Sequence, residues 1–177
     1  RPEGYCVPNA ATYPYQWLWD SCFHAVAWAA LDEGDRARRE LFHVFRTQDG
    51  SGFVPHVDYE ADPEALDSFW QREASSSITQ PPLYGHAVAE LVRRGVAVPE
   101  ELVDRARRGL DFLVRHRRRD RASWLVTLVH PWESGADDSP RWDGWLEGPW
   151  GREGWFDVKG ELVGSLAFGD GGREGRR

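Results

Sequence analysis

The chain has 177 residues with 22 basic and 29 acidic side chains, which gives a net charge of −7 at neutral pH (22 − 29). This acidic balance disfavours nucleic-acid binding, and no apolar run approaches the roughly 20 residues of a membrane span. The two cysteines are too few for a disulfide framework, so we expect a cytoplasmic protein built around one hydrophobic core. The absence of methionine and the glycine-rich end predict a piece of a longer protein or a truncated gene model. Residues 1–168 then form the domain, and residues 169–177 a disordered or non-native tail.

Helical periodicity takes up much of the chain. Apolar residues recur at helical spacing over residues 20–33, with Asp20 or Ser21 as the predicted N-cap and Gly34 as the stop. The pattern repeats over residues 35–47, and further helices are predicted for about residues 81–94, 99–118 and 158–168. The many arginines of the 99–118 helix indicate a solvated face. Strand signal is scarce, and the sequence therefore predicts a mainly helical architecture of paired helices.

The segment from residue 13 to residue 24 places four aromatic side chains before an acid at the start of the first helix. One interpretation is structural, with Asp20 as a cap and the aromatic residues packing beside it. For Trp19 and Asp20 together we favour a sugar contact, because a carboxylate held at a helix N-terminus can accept hydrogen bonds from two adjacent hydroxyls. The long irregular stretch over residues 48–79 is also typical of a functional loop.

A second candidate lies at the end of that stretch. Gln80 precedes two prolines, which hold it in an extended conformation. Its amide offers a donor and an acceptor, as a sugar hydroxyl requires. A simple loop at a helix start explains this segment equally well.

The third candidate, residues 132–143, contains four carboxylates, one arginine and two tryptophans, and is broken by Gly135 and Pro140. Aromatic rings beside carboxylates suit the binding and cleavage of a sugar, since a ring face covers the apolar side of a pyranose while carboxylates move protons. A general acid that keeps its proton near neutrality needs desolvation or a neighbouring negative charge. The other acids of the segment can supply that negative charge, and Arg141 can neutralise one of them. Spacing alone leaves open which acid is catalytic: Glu133, Asp137, Asp138 or Asp143.

The sequence lacks the motifs of other common kinds of catalytic site. The six histidines show no HExxH or similar spacing, so neither a catalytic metal nor another cofactor is expected. The sequence also has no GxSxG, P-loop or GxGxxG pattern.

Three segments in this order, WLWDSCFHA, SSITQPP and HPWESGADDSPRWD, resemble glycoside hydrolase family 63, in its mannosylglycerate/glucosylglycerate hydrolase-like branch. They are more distantly similar to trehalases. The resemblance covers roughly residues 13–143 and implies an all-α fold, an incomplete (α/α)6 toroid of helix hairpins whose long aromatic-rich loops form a sugar pocket. It also implies inverting hydrolysis, in which one carboxylic acid protonates the leaving oxygen and a second carboxylate activates water.

The resemblance also implies roles for individual residues. Asp137 matches the general acid, and Trp19, Asp20, Gln80 and Trp132 match positions that hold the −1 sugar. Tyr13 lies where glycerate-specific relatives bind the aglycone, and Arg141 is expected to order the acid loop. Two further positions of these motifs complete the candidate substrate-binding set: Phe23 and Gly135.

The resemblance is incomplete in one respect. The general base of the family is a glutamate far downstream, and none of the later glutamates of this chain has a matching context: Glu147, Glu153, Glu161 and Glu174. We therefore expect this chain to form half a toroid, whose uncovered apolar faces make it poorly stable. We expect it to be inactive alone, and its parent protein to be an enzyme that acts on a small α-glucoside or α-mannoside. The alternatives are a non-catalytic carbohydrate-binding protein and a helical structural domain whose tryptophans only pack. The oligomeric state is left open.

Overall fold

The computed structural model of the protein describes residues 4–59, 70, 72–128, 130–136 and 139–142. Within these residues, four α-helices form two hairpins: α1 (Leu18–Ala30), α2 (Gly34–Val44), α3 (Tyr84–Arg93) and α4 (Glu100–Arg115). Two short 3-10 helices follow, Pro131–Ser134 and Pro140–Trp142. The prediction of a mainly helical protein is confirmed. The predicted helix over 158–168 and the boundary at residue 168 lie outside the described residues.

The first helix begins earlier than its sequence pattern predicts. Trp17 occupies the N-cap position with extended backbone angles (φ −105°, ψ 136°), and Asp20 lies within the first turn. The prediction of Asp20 or Ser21 as the N-cap is therefore wrong. The start is set by a distant contact, because the backbone N–H of Leu18 donates to the carbonyl of His56 at 2.9 Å. Gly34 is also not a stop but the first residue of α2.

The main core lies between the two hairpins, where α1 packs against α2 and α3, and α3 packs against α4. Small side chains line the buried face of α1, which lets the helices approach closely. Gly109 has the same role in α4, because a Cβ there would lie 2.8 Å from the hydroxyl oxygen of Tyr84. The buried residues of this core include Cys22, Ala25, Ala29, Ala37, Leu41, Phe45, Tyr84, Ala87, Leu91, Leu102 and Ala106.

A two-stranded antiparallel sheet joins the segment before α1 to the segment after α2. Strand β1 (Gln16–Trp17) pairs with β2 (Val57–Asp58), with Gln16 opposite Asp58 and Trp17 opposite Val57. Ser75 forms a further bridge to Asp58, so three distant segments run side by side. Arg46 fixes this arrangement by donating from Nε and Nη2 to the two carboxylate oxygens of Asp58, at 2.9 and 2.6 Å. The sheet was not predicted, because two-residue strands are too short to show the alternation of a strand.

None of the helices in the part of the chain described here is both long and apolar enough to cross a bilayer. Several large apolar side chains of α3, α4 and the turn after α4 are exposed: Val92, Val103, Leu110, Val114, Trp124, Leu125, Val126 and Leu128. These positions are candidates for contact with another part of the fold.

Candidate active site

The first of the three sequence motifs meets the second at the N-terminus of α1. The first N–H groups of a helix have no partner within the helix, and the side chain of Trp17 caps none of them. The N–H of Trp19 instead donates to the side-chain oxygen Oε1 of Gln80 at 3.2 Å. The side chain of Gln80, 61 residues further along the chain, therefore caps the N-terminus of α1. The same hydrogen bond fixes its buried amide beside Asp20.

The second motif meets the third at Glu133. This carboxylate accepts a hydrogen bond from the backbone N–H of Thr79 at 3.2 Å. It also receives two hydrogen bonds of 2.7 Å from the guanidinium of Arg117, one on each oxygen. Both side chains are buried, and Arg117 donates further to the carbonyl of Thr127 at 3.2 Å. The bidentate pair satisfies two charges that burial would otherwise make very unfavourable.

The third motif returns to the first at Gly135. The 3-10 helix Pro131–Ser134 is capped at its start by His130, whose Nδ1 accepts the N–H of Trp132 at 3.0 Å. It ends at Gly135, which has left-handed backbone angles (φ 66°, ψ 11°). Here the backbone lies against the indole of Trp19. The three motifs thus form a closed circuit, Trp19 to Gln80, Thr79 to Glu133 and Gly135 to Trp19.

A cavity of about 200 Å³ lies within this circuit, lined by Pro8, Tyr13, Trp17, Trp19, Asp20, Gln80 and Gly135. It is smaller than the roughly 300–1,000 Å³ typical of pockets for drug-sized ligands, which suits a compact polar molecule. Its walls combine indole faces with one carboxylate and one amide, the groups that cover the apolar side of a sugar and bind its hydroxyls. Tyr13 is 51% exposed at the cavity and packs edge to face with Trp17 at 5.7 Å between ring centroids.

The carboxyl group of Asp20 is half-buried at this cavity. Burial raises its pKa above the ordinary value of 3.8, against the opposing effect of His24 one helical turn later. Desolvation is the largest of the influences on this pKa. A ligand that donates hydrogen bonds to Asp20 replaces the lost hydration and is bound more tightly as a result.

The predicted site residues fall into three groups. Tyr13, Trp19, Asp20, Gln80 and Gly135 surround the cavity. Three others are not part of its lining: Phe23, Trp132 and Arg141. Phe23 is 55% exposed and its ring lies 5.8 Å from that of Trp19. Trp132 packs against His56, Trp70 and His130, and Arg141 is exposed and donates to the hydroxyl of Ser139. Asp137 lies outside the described residues.

Sequence reasoning missed three residues of this region. Pro8 and Trp17 line the cavity. Trp17 carried a signal, since it directly precedes the first helix two positions before Trp19. Arg117 carried none. It was counted with the solvated arginines of the preceding helix, but it is only 6% exposed and neutralises Glu133. Because Arg117 compensates its charge, Glu133 cannot supply the neighbouring negative charge that would keep a general acid protonated.

Comparison with known proteins identifies the family. Residues 13–161 match the family described as the mannosylglycerate hydrolase MGH1-like glycoside hydrolase domain. The chain belongs to this family. A mannosylglycerate hydrolase from Rubrobacter radiotolerans is 37% identical over 163 residues, a match that covers 81% of this chain and 36% of the relative. A second one, from Thermus thermophilus, is 38% identical over 162 residues, covering 78% of this chain and 37% of the relative.

Solved structures in the family agree with this assignment. The crystal structure of a GH63 mannosylglycerate hydrolase from Thermus thermophilus, in complex with Tris and D-glycerate, superposes with a TM-score of 0.66 at 33% identity. The superposition covers 82% of this chain and 37% of that structure. The resemblance to the glycoside hydrolase family seen in the sequence is confirmed. The chain spans little more than a third of the relatives it matches.

Proposed function

We propose that residues 1–168 form the N-terminal part of the catalytic domain of an inverting α-glycoside hydrolase with an (α/α)6 toroid. The substrate is a small α-mannoside or α-glucoside whose aglycone is glycerate or a similar compact acid. The observation that carries this proposal is the cavity at the junction of the three motifs, with Trp17 and Trp19 beside Asp20 and Gln80. The names of the relatives support the hydrolase class and the glycerate aglycone.

In this proposal the cavity holds the −1 sugar. An indole face of Trp17 or Trp19 covers the apolar side of the pyranose, and Asp20 accepts hydrogen bonds from two of its hydroxyls. The oxygen of Gln80 is used by the backbone of Trp19, so its amide nitrogen is the group that donates to the sugar. Tyr13, exposed beside Trp17, binds the aglycone.

Asp137 is proposed as the general acid. It follows Gly135 of the cavity wall by two positions. It donates its proton to the glycosidic oxygen as the bond to the anomeric carbon breaks, while water attacks from the opposite face with the help of a second carboxylate. Arg141, in the same loop, orders the acid. Glu133 instead anchors this loop, since Arg117 and Thr79 occupy its oxygens.

The second carboxylate is proposed to come from the remaining part of the toroid. The relatives are nearly three times as long as the matched region. Exposed apolar side chains on α3, α4 and the turn after α4 give that part a surface to pack against. A non-catalytic carbohydrate-binding protein that keeps the same cavity is the competing proposal, and it predicts ligand binding without turnover in any context.

Binding to the 177-residue chain tests the cavity. We expect α-mannosylglycerate or α-glucosylglycerate to change the intrinsic tryptophan fluorescence in a saturable manner. Trp19→Phe should weaken binding at least about fivefold, because an indole face contributes about 1 kcal/mol or more to such a contact. Trp124→Phe is the matched control, since Trp124 is 71% exposed and outside the cavity. Equal effects of the two variants would contradict this assignment of the cavity.

Hydrolysis tests the catalytic claim separately. A chimera in which residues 13–161 replace the matching segment of the Rubrobacter radiotolerans enzyme should cleave mannosylglycerate and release β-mannose first, as followed by proton NMR. Asp137→Asn in the chimera should abolish turnover but keep binding. A chimera that folds and binds without turnover would support the binding protein instead.

A further inference from the structure

A second cluster of polar side chains lies where the N-terminal segment contacts α1 and α2. It consists of Cys6, His24 of α1 and Glu40 of α2. The Cys6 sulfur, a ring nitrogen of His24 and a carboxylate oxygen of Glu40 all lie within 4.8 Å of one another. His24 is one helical turn along α1 from Asp20, so the cluster is separate from the cavity but adjacent to it.

Glu40 is the unusual member of this cluster, because its carboxylate is only 1% exposed. Its Oε2 accepts the backbone N–H of Cys6 at 2.8 Å. Its Oε1 and the Nδ1 of His24 are both buried without a hydrogen-bond partner among the described residues, although they lie only 3.5 Å apart. Burial of a carboxylate whose second oxygen has no partner is strongly unfavourable unless a positive charge compensates it.

The cysteine completes the cluster, because its sulfur can reach the same point in space as the imidazole of His24 and the carboxylate of Glu40. A proton on His24 would pair with Glu40 alone. A divalent cation engages all three groups together, since it binds a thiolate, a neutral imidazole and a carboxylate at once.

The geometry points to a zinc site. In tetrahedral Zn²⁺ coordination with bonds of about 2.0 Å to nitrogen and oxygen, the two ligand atoms are separated by about 3.3 Å. The 3.5 Å between Nδ1 of His24 and Oε1 of Glu40 is close to that spacing. We propose that Cys6, His24 and Glu40 bind one Zn²⁺ ion, with a water molecule as the fourth ligand. A thiolate and an imidazole favour Zn²⁺ over Mg²⁺ or Ca²⁺.

A further contact holds the backbone of Glu40. The amide of Gln16 donates to the backbone carbonyl of Glu40 at 3.4 Å and to the hydroxyl of Ser21 at 3.1 Å. The ion joins the N-terminal segment to α1 and α2. Because Pro8 and Tyr13 of that segment line the cavity, the zinc site fixes one wall of it. This inference stands without the proposed hydrolase activity.

No sequence pattern indicated this site. The expectation of no metal rested on local histidine motifs, whereas these ligands are 16 to 34 residues apart and meet only where α1, α2 and the N-terminal segment pack together.

Titration of the reduced 177-residue chain with Co²⁺ and Zn²⁺ at neutral pH tests the proposal. We expect one ion per chain, with Co²⁺ producing the visible bands of tetrahedral coordination and a near-ultraviolet sulfur-to-cobalt charge-transfer band. Cys6→Ser should remove the charge-transfer band, and Glu40→Gln should weaken Zn²⁺ binding by at least about 100-fold. Cys22→Ala is the matched control and should keep the band, because Cys22 is buried in the main core.

A measurement on the unaltered chain avoids any folding defect of these variants. Bound Zn²⁺ should slow the reaction of Cys6 with a thiol reagent at least about tenfold, and a chelator should restore the rate. The proposal is overturned if Zn²⁺ leaves this rate unchanged, if the wild-type chain binds no ion, or if Cys6→Ser binds Co²⁺ with the same spectrum.

Discussion

Gly135 lies directly against the indole of Trp19. A Cβ atom at position 135 would fall 2.5 Å from ring carbon Cη2 and 2.6 Å from Cζ3, closer than any real contact of a Cβ. The left-handed backbone of Gly135 disfavours a side chain for a second, independent reason. This contact is where the loop that carries the proposed general acid meets the proposed sugar-binding helix start.

Gly135→Ala should therefore displace the Trp19 ring or the loop. We expect a loss of about 1–3 kcal/mol in the free energy of unfolding and a larger loss of affinity for mannosylglycerate. Urea denaturation and tryptophan fluorescence measure the two effects. Gly50→Ala is the control, since a Cβ at Gly50 meets nothing within 4 Å. Unchanged binding in Gly135→Ala would show that the contact does not shape the cavity.

Gln80→Leu should show that one side chain both caps a helix and lines the cavity. The change leaves the N–H of Trp19 without its acceptor, at a cost of about 1 kcal/mol, as for the loss of an ordinary helix cap. It also removes the amide donor, so affinity for the glycoside should fall beyond what the lost stability explains. Thermal melting and ligand titration separate the two effects. If Gln80→Leu bound the glycoside with normal affinity, Gln80 would cap the helix but would not contact the ligand.

The buried pair of Arg117 and Glu133 should be strongly coupled. Arg117→Met leaves the carboxylate of Glu133 buried without its partner, and should cost about 3–5 kcal/mol in the free energy of unfolding. Adding Glu133→Gln should recover part of that loss, so that the double variant is more stable than the sum of the single variants predicts. Arg107→Met is the control, because Arg107 and Asp104 form an exposed pair whose loss should leave the unfolding curve unchanged. Additive effects would mean that the pair does not anchor the loop.

The sequence predicted those parts of the molecule whose determinants are local. The four described helices were predicted because each repeats its apolar face every three to four residues. The cavity residues Trp19, Asp20 and Gln80 were predicted because their side chains suit a sugar and because their motifs together resemble one family. The roles assigned to them, and that of Asp137, stay predictions.

The parts that were missed depend on distant partners. The start of α1 is set by the carbonyl of His56, the sheet joins residues some forty positions apart, and the buried Arg117 pairs with Glu133 of another segment. Each of these contacts follows from the way the hairpins and loops pack. A pattern confined to one segment contains no information about them.

Asp20 is expected to bind ligand at the expense of stability. Burial raises its pKa in the folded chain, so the charged form is less favourable folded than unfolded. The destabilisation is therefore present at neutral pH and disappears as the pH falls through the raised pKa and below 3.8, where both states are protonated. Asp20→Asn should be at least as stable as the wild type at pH 7 and should lose this advantage in acid. Urea denaturation at a series of pH values measures the difference.

The same variant should bind the glycoside at least about tenfold more weakly, because a neutral amide replaces a charged acceptor of two hydrogen bonds. Opposite changes in stability and affinity distinguish a ligand-binding carboxylate from a structural one, whose loss lowers both. Asp32→Asn is the matched control, since Asp32 is exposed with a left-handed backbone that asparagine tolerates, and neither property should change. If Asp20→Asn were less stable than the wild type at every pH, the carboxylate would serve the fold, and another group of the cavity would have to bind the sugar hydroxyls.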